Sequence, residues 1–163
     1  MSNLSSKAKK IKLVATDIDG VWTDARMYVT SEGVYMKSFS TYDGMAVSML
    51  KKKGIIVVIL TSENTDIVLA RAKKLAIEEV YVDEHEKLKR LIYLSKKYEI
   101  SMDEIAYIGD DLNDIKTLKV VGLSGLSANS PLINDIKTDY VTTRTGGQGA
   151  FREFSDLILN AQK

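Results

Sequence analysis

The sequence contains no cysteine and only one histidine among its 163 residues. The lack of cysteine excludes disulfides, thiolate catalysis and zinc sites with thiolate ligands. The formal net charge is only +1, which is too small to attract nucleic acid or an anionic membrane, so the expected partner is a small molecule. No apolar run reaches the roughly 18 residues needed to span a bilayer. A cytoplasmic location is therefore expected.

The composition fits one ordinary globular domain. With 45% hydrophobic and 28% charged residues, a chain of this length can bury most of its apolar surface in a single core. The first ten residues, MSNLSSKAKK, are polar and basic, and no apolar segment follows them. We therefore expect residues 1–10 to be a frayed N-terminus rather than a secretion signal, and residues 11–163 to form the domain.

Short β-branched runs alternate with helical patterns along the chain. Strands are expected at 12–16, 55–60, 80–82, 105–108, 121–124 and 139–142, and helices at 42–53, 65–75, 87–98, 114–119 and 149–160. Such alternation implies right-handed crossovers and a parallel sheet with helices on both faces. The predicted fold class is therefore a single α/β domain of the Rossmann-like kind.

One segment interrupts the alternation. Residues 26–30 and 34–39 are two strand-like runs separated by Ser31-Glu32-Gly33. This pattern predicts a β-hairpin at about residues 25–40 that projects from the sheet. Loops after strand ends bind ligands in such folds, so the hairpin is expected beside the active site. Because an isolated hairpin is marginal in water, its aromatic residues are expected to contact another subunit.

Polar residues follow the ends of four predicted strands. They are Asp17 and Asp19 after the first strand, Thr61 after the second, Lys87 at the start of the helix after the third, and Asp110 and Asp111 after a later one. In an open parallel sheet, substrates bind beyond the carboxyl ends of the strands. These residues are therefore expected to meet in one pocket, although about ninety positions separate the first from the last.

The residue types in this pocket indicate phosphoryl chemistry with a hard cation. Clustered carboxylates repel one another unless a cation lies among them, and Mg²⁺ prefers oxygen ligands. Asp17 and Asp110 can each supply a carboxylate oxygen, and a main-chain carbonyl near Asp19 can supply another. Thr61 and Lys87 are poor additional ligands, but a hydroxyl and an ammonium suit the oxygens of a phosphoryl group. The sequence therefore predicts Mg²⁺ as cofactor.

The acids can also carry out the transfer. A carboxylate next to the ion can attack phosphorus, and the resulting aspartyl phosphate divides a slow hydrolysis into two steps. The second acid, Asp19, is placed to protonate the leaving alcohol and later to take a proton from water. Gly20 lets the chain turn sharply without a side chain in the way.

The motifs DxDGVxTD at residues 17–24, Thr61, Lys87 and GDDxxD at residues 109–114 occur in this order. They resemble the four motifs of the haloacid-dehalogenase-type phosphatases. The resemblance implies that the chain is an enzyme, a phosphoric monoester hydrolase. It also implies these roles: nucleophile for Asp17, general acid/base for Asp19, phosphate binding for Thr61 and Lys87, outer Mg²⁺ ligand for Asp110, and support for that ligand from Asp111 and Asp114.

Other segments resemble one subgroup of this family. The hairpin in place of a cap domain, VGLSGLSANSP at 121–131 and GGQGAFREF at 146–154 are similar to the capless enzymes that dephosphorylate 3-deoxy-ulosonic acids. Members of this subgroup act on 3-deoxy-D-manno-octulosonate 8-phosphate or on nine-carbon sialic-type 9-phosphates. They form homotetramers in which hairpin and tail elements of one subunit help close a neighbour's site. The resemblance therefore implies a homotetramer.

The residues after Thr61 bear on the substrate. Octulosonate enzymes usually have Gly-Arg there, whereas this chain has Ser62-Glu63, and such a glutamate is similar to the nine-carbon phosphatases. Arg71 and Lys74 match basic positions that those enzymes place near the sugar acid. Glu63 and Lys74 are expected roughly 16 Å apart along one helix, so they cannot both bind one substrate within a subunit. Either they belong to the sites of different subunits, or Lys74 is solvated. These residues favour a nine-carbon 9-phosphate, with octulosonate 8-phosphate of lipopolysaccharide biosynthesis as the alternative.

Two functions from other classes agree less well with the sequence. A phosphoacceptor signalling domain has its acceptor aspartate after a middle strand, whereas here that strand ends in Leu60-Thr61. A catalytically silent oligomerisation module, as in a related domain of sialic acid cytidylyltransferases, would lack the acids that chemistry requires. Asp17, Asp19 and Asp110 are all present. The enzyme interpretation is therefore preferred.

Two features have both structural and functional interpretations. A DxD pair after a strand is usually a turn or a helix cap when it occurs alone. The segment GGQG at residues 146–149 can bind phosphate at a helix start, or it can be a structural turn or a subunit contact. Trp22 is expected to be a packing residue below the site.

Overall fold

Strands and helices alternate along the chain, as the computed structural model describes it for residues 3–163. The strands are Leu13–Thr16 (β1), Tyr28–Thr30 (β2), Gly33–Met36 (β3), Ile56–Leu60 (β4), Glu79–Tyr81 (β5), Ile105–Gly109 (β6), Leu123–Leu126 (β7) and Tyr140–Val141 (β8). The helices are Asn3–Lys9 (α1), Thr41–Lys52 (α2), Asp66–Lys74 (α3), Lys87–Lys97 (α4), Ile115–Leu118 (α5) and Ala150–Ala161 (α6).

β1 lies in the interior of a six-stranded sheet with the order β5-β4-β1-β6-β7-β8, in which every pairing is parallel. All four residues of β1 are buried, as expected for a strand covered on both faces. The register pairs Thr16 with Ile59 of β4 and with Ile108 of β6. The ends of these three strands therefore lie side by side. The predicted α/β domain with a parallel sheet is confirmed.

Apolar side chains cover both faces of this sheet. On one face, residues such as Val47, Val68 and Phe154 join α2, α3 and α6 to the strands. On the other face, Leu91 and Leu118 join α4 and α5 to them. This packing fixes the loops at the strand ends relative to one another. Within residues 3–163, no helix combines the length and the apolar character needed to cross a bilayer.

β2 and β3 form a separate antiparallel hairpin inside the predicted range 25–40. Its strands are poorly covered, because Tyr35 is 74% exposed and Val29 is 66% exposed. Residues 31–32 form the turn, and Gly33, with a φ of +121°, begins β3 directly after it. The hairpin therefore projects from the body of the domain between β1 and α2, as predicted.

The N-terminus differs from the prediction. Residues 3–9 form α1 rather than a frayed end, while residues 1 and 2 lie outside the described residues. Ala8 is fully buried, Leu4 packs against the same core, and Nζ of Lys7 lies 2.6 Å from a carboxylate oxygen of Asp139. Two apolar residues four positions apart are too weak a pattern to predict this helix, which is stabilised by tertiary contacts.

One predicted strand is displaced along the chain. The prediction was 121–124, but β7 covers Leu123–Leu126 because Gly122 still belongs to the preceding turn. The N–H of Gly122 donates to the carbonyl of Met102 at 2.9 Å. A Cβ on Gly122 would lie 2.1 Å from the carbonyl oxygen of Asp103. The apolar pair Val120-Val121 suggested an earlier start than this tight turn allows.

Candidate active site

Asp17 is the first residue after β1 and lies at the carboxyl edge of the sheet. Its N–H donates to the carbonyl of Ile108 at 3.0 Å, which extends the parallel ladder beyond the strand. One carboxylate oxygen accepts the N–H of Ile18 at 2.7 Å, and the other lies 2.9 Å from Nζ of Lys87. The residue is only 4% exposed. Asp17 is therefore fixed by the backbone and held beside a cation.

Lys87 and Asp114 form a buried ion pair next to Asp17. Lys87 begins α4 and is 2% exposed, and Asp114 is completely buried. Burial opposes the charge of Lys87, but the carboxylates of Asp17 and Asp114 outweigh it and raise its pKa. Four donors occupy both oxygens of Asp114: Nζ of Lys87 at 2.7 Å, the hydroxyl of Tyr107 at 2.5 Å, and the N–H groups of Asp110 at 2.8 Å and Asp111 at 3.3 Å.

Asp110 adds a third carboxylate. Carboxylate oxygens of Asp17, Asp110 and Asp114 lie within 4.8 Å of one another. Burial, together with the negative charges of Asp17 and Asp114, raises the pKa of Asp110 to about 8. Burial and the charge of Asp114 raise the pKa of Asp17 to about 7, against the opposing effect of Lys87. Three acids so close together favour a cation at this point.

The donor set fits Mg²⁺. The cluster offers oxygen atoms only, and Mg²⁺ prefers one or two carboxylates and several retained waters. Asp17 and Asp110 have the carboxylate oxygens that would hold the ion. Asp114, whose oxygens are occupied, holds the main chain of Asp110 in place. The cluster therefore fits Mg²⁺, the predicted cofactor.

Gly20 brings the loop after β1 against Asp110. Its φ is +82°, and a Cβ at this position would lie 1.8 Å from Oδ2 of Asp110. The left-handed backbone confirms the sharp turn expected from the sequence. The space that Gly20 leaves for Asp110 is a second reason for glycine, and it could not be predicted because Asp110 is ninety positions away in the chain.

Asp19 pairs with a lysine of the hairpin segment rather than with the carboxylate cluster. Its two carboxylate oxygens accept from Nζ of Lys37 at 2.7 and 2.6 Å. The hydroxyl of Thr23 also donates to Oδ1, at 3.3 Å. The carboxylate of Asp19 is therefore engaged, and only its main-chain carbonyl stays a predicted metal ligand. Asp19 nevertheless lines the same cleft as Asp17.

The loops after β4 and β6 meet across the cleft. Thr61, which follows β4, donates its N–H to the carbonyl of Tyr81 at 3.0 Å and is 1% exposed. Nδ2 of Asn113 donates to the hydroxyl of Ser62 at 3.1 Å, and this hydroxyl donates to the carbonyl of Glu84 at 3.4 Å. The contact between Ser62 and Asn113 therefore joins the two loops at one edge of the cleft.

A cleft of about 440 Å³ opens between these loops and the base of the hairpin. Its size suits a small phosphorylated molecule. Six of the predicted site residues line this cleft. Lys87 and Asp114 do not line it, but Lys87 contacts Asp17 and Asp114 contacts Asp110. The lining residues are Asp17, Asp19, Ala25, Met27, Ser62, Glu63, Asp110, Asp111, Leu112 and Asn113.

Arg71 and Lys74 lie outside this cleft. Nη2 of Arg71 donates to the carbonyl of Ser40 at 3.2 Å, and its guanidinium lies 5.7 Å from the centre of the Phe39 ring. Arg71 therefore faces the segment before α2. Lys74 is the last residue of α3 and is exposed. The structure does not bring either residue to the cleft of its own chain, because α3 begins only at Asp66, after the loop that contains Glu63, and leads away from the cleft.

Residues 146–149 brace the loop after β1. The N–H of Gly146 donates to Oδ1 of Asn129 at 2.6 Å, and Nδ2 of Asn129 donates to the carbonyl of Gly20 at 3.4 Å. The N–H of Gly147 donates to the carbonyl of Val21 at 3.3 Å. A Cβ on Gly146 would lie 2.1 Å from the carbonyl oxygen of Gly20. These contacts favour the structural interpretation of GGQG.

Trp22 packs below the site, as predicted. It is fully buried, its Nε1 donates to the hydroxyl of Thr16 at 3.0 Å, and its ring centre lies 4.8 Å from that of Phe151.

Three other residues at the site were not identified from the sequence. Lys37 follows an exposed hairpin strand, where lysine is usually solvated, and Tyr107 fits an ordinary buried strand. The only signal for Asn113 was its place inside GDDLND.

Comparison with known proteins supplies the family. A family model described as haloacid dehalogenase-like hydrolase matches residues 37–122. A 3-deoxy-D-manno-octulosonate 8-phosphate phosphatase of Haemophilus influenzae is 35% identical to this chain over 159 residues. The match covers 98% of this chain and 88% of that protein.

Solved structures agree with this result. The crystal structure of 3-deoxy-D-manno-octulosonate 8-phosphate phosphatase from Moraxella catarrhalis, in complex with a magnesium ion, a phosphate ion and KDO, is 41% identical, with a TM-score of 0.94. The match covers 99% of this chain and 93% of the Moraxella catarrhalis chain. The cobalt-bound form of the Haemophilus influenzae enzyme is 36% identical, with a TM-score of 0.91, over 96% and 91% of the two chains. The chain therefore belongs to the haloacid dehalogenase-like hydrolases, as its motifs predicted.

Proposed function

We propose that the chain is a Mg²⁺-dependent phosphatase that hydrolyses 3-deoxy-D-manno-octulosonate 8-phosphate through an aspartyl phosphate on Asp17. The observation that carries the proposal is the position of Asp17. One of its carboxylate oxygens lies 2.9 Å from the ammonium of Lys87, and a carboxylate oxygen of Asp110 lies within 4.8 Å, in a cleft of about 440 Å³. A nucleophile, a cation and a metal-binding acid thus meet where a phosphate ester can enter.

In the first step, the carboxylate of Asp17 attacks phosphorus and the bond from phosphorus to the sugar oxygen breaks. Asp19, which begins this step with a protonated carboxyl, gives that proton to the sugar oxygen, so the sugar acid leaves as an alcohol and Asp19 is left as a carboxylate. The hydroxyl of Thr61 and the ammonium of Lys87 hold the phosphoryl oxygens. Bound Mg²⁺ supplies positive charge that neutralises these oxygens and the carboxylates.

In the second step, water attacks phosphorus and Asp19 accepts its proton. The bond between phosphorus and the Asp17 oxygen breaks, which releases inorganic phosphate and restores the carboxylate. Lys87 keeps its place throughout, because a carboxylate oxygen of Asp114 lies 2.7 Å from its ammonium. The network around Asp114 is buried, so these groups need little reorganisation during the reaction.

The proteins to which this chain is similar support octulosonate 8-phosphate as the substrate. This substrate was the alternative in the sequence analysis, where Ser62-Glu63 favoured a nine-carbon 9-phosphate. The relatives described above, at 35–41% identity, carry the name of the octulosonate enzyme. Glu63 lines the cleft and can contact a substrate, so the nine-carbon 9-phosphate is kept as the second candidate.

Release of inorganic phosphate from the two candidate substrates tests the proposal. With Mg²⁺ present, kcat/KM should be at least about tenfold higher for the octulosonate, which corresponds to about 1.4 kcal/mol of differential barrier. A chelator should abolish release, and added Mg²⁺ should restore it. Asp17→Asn should be inactive, whereas Asp135→Asn, at an exposed position outside the cleft, should retain activity. Turnover by Asp17→Asn would refute the nucleophile, and the opposite preference would select the nine-carbon acid.

We also propose that the chain forms the predicted homotetramer in the cytoplasm. The apolar residues of the hairpin support an interface, because the largely exposed side chains of Tyr35 and Val29 offer apolar surface that a partner subunit can cover. Tyr35→Lys should therefore lower the mass measured by light scattering. Tyr93→Lys, at a half-exposed tyrosine of α4, is the matched control and should leave the mass unchanged. A wild-type chain that is monomeric at all concentrations would contradict the tetramer.

A further inference from the structure

Lys37 is an enclosed lysine at the end of an otherwise exposed hairpin. It directly follows β3, whose last residue Met36 is 46% exposed, yet the side chain of Lys37 has no exposed surface. Lysine is almost never fully buried without a charged partner, because an unpaired buried ammonium is strongly destabilising. The chain therefore folds Lys37 inward against a specific partner.

That partner is Asp19. Nζ of Lys37 lies 2.7 Å from Oδ1 and 2.6 Å from Oδ2, so one ammonium donates to both oxygens of the carboxylate. Two short contacts from one ammonium restrain both oxygens of the carboxylate and oppose its rotation. The third contact, from the hydroxyl of Thr23, is longer at 3.3 Å. Lys37 is therefore the dominant restraint on the orientation of Asp19.

Lys37 can act on the substrate only through Asp19. Its own side chain is enclosed, whereas Asp19 retains 19% of its side-chain surface and lines the cleft. The hairpin is joined to the active site at this point, since Lys37 belongs to the segment from β3 to α2 and Asp19 to the loop after β1. A misplacement of about 1 Å in a reacting group can cost about 10²-fold in rate.

We propose that Lys37 is a positioning residue that sets the orientation in which Asp19 transfers a proton to the leaving oxygen. This inference depends on the acid/base role proposed for Asp19. It makes the hairpin a functional part of the active site, because removal of the lysine frees the carboxylate to rotate. The loss then falls on proton transfer rather than on binding of phosphate or metal.

The dependence of rate on the leaving group separates this role from a structural one. A sugar alkoxide needs a proton to leave, whereas a nitrophenolate leaves without one. Lys37→Met, which keeps the length of the side chain, should lower kcat/KM for the sugar acid phosphate by at least about tenfold. The loss for 4-nitrophenyl phosphate should stay within about threefold. Lys37→Arg, which also offers two donors, should recover most of the lost activity.

A second experiment holds even where Lys37→Met disturbs the hairpin. Asp19→Asn is combined with Lys37→Met and with the milder Lys37→Gln, and kcat/KM is measured for the sugar acid phosphate in each single and double variant. If Lys37 acts through Asp19, its substitution should have no further effect once Asp19 is replaced. Binding of Mg²⁺, measured by calorimetry, should be the same in Lys37→Met and in the wild type.

The outcomes separate the two claims. Equal losses of kcat/KM for the sugar and nitrophenyl esters in Lys37→Met would overturn the role of Lys37 and leave that of Asp19 intact. Additive losses in the double variants with Asp19→Asn would do the same. If Asp19→Asn lowers kcat/KM equally for the sugar ester and the nitrophenyl ester, the acid/base role of Asp19 is wrong, and the inference about Lys37 is wrong as well. A selective loss on the sugar ester, with no additivity, is the result expected here.

Discussion

Replacing Gly20 with alanine would place a methyl group at the closest approach between the loop after β1 and Asp110. The Cβ would lie 1.8 Å from Oδ2 of Asp110. The carboxylate must move by roughly 1.5 Å to reach an ordinary contact, several times the ~0.2 Å tolerance of a metal–ligand distance. The side chain of Asp110 can rotate away, so stability should lose mainly the cost of a left-handed alanine, about 1–2 kcal/mol.

Gly54→Ala is the matched control. Gly54 has a φ of +79°, close to the +82° of Gly20, and in the described chain its Cβ would meet no atom within 4 Å apart from its own chain neighbours. Both variants should lose a similar free energy of unfolding in urea. Only Gly20→Ala should weaken Mg²⁺ binding, by at least about tenfold in isothermal titration calorimetry. Equal Mg²⁺ affinity in the two variants would refute the claim that Gly20 makes room for Asp110.

Three further predictions concern buried residues. Burial raises the pKa of Asp43 to about 6 from an ordinary value of 3.8, so the folded state holds a proton that the unfolded state releases, and stability falls as pH rises through this interval. Asp43→Asn removes that fall, so the free energy of unfolding of the wild type relative to the variant should drop by up to about 2.5 kcal/mol between pH 4 and pH 7.5. A pH-independent difference would contradict this. Tyr107→Phe removes the hydroxyl that donates to Asp114 at 2.5 Å. The free energy of unfolding measured in urea should fall by about 1.5–3 kcal/mol. An unchanged free energy of unfolding would show that this hydrogen bond contributes nothing to stability. Gly146→Ala would place a Cβ 2.1 Å from the carbonyl oxygen of Gly20, a backbone atom that cannot rotate away. Both the melting temperature and the rate of phosphate release should therefore fall. If neither falls, the contact between Gly146 and the loop after β1 does not support the site.

The parallel sheet and the acids at its edge could be predicted because their signals are local. Each strand is a short apolar run, and the position of Asp17 or Asp110 directly after such a run fixes the edge at which it lies. The buried support of the site could be predicted only in part. Asp114 stands in the GDDLND motif, but the hydroxyl that joins it comes from Tyr107, which looks like any other strand residue.

The remaining differences depend on contacts between distant segments. α1 forms because Leu4 and Ala8 meet α6 and the sheet, which no local pattern of residues 3–9 announces. Lys37 was missed because exposed hairpins commonly carry solvated lysines, and its pairing with Asp19 spans 18 positions. The place of Arg71 could not be settled by spacing along α3, since its direction is set by packing against the segment before α2.

The most direct test of the mechanism is to locate the phosphoryl group on the protein during turnover. The enzyme is mixed with Mg²⁺ and octulosonate 8-phosphate, quenched in acid and reduced with borohydride, which converts an aspartyl phosphate to homoserine. Mass spectrometry of the peptide that carries Asp17 should show homoserine at position 17 in the wild type and none in Asp17→Asn. Conversion at another carboxylate, or steady turnover with no conversion at any aspartate, would contradict the account.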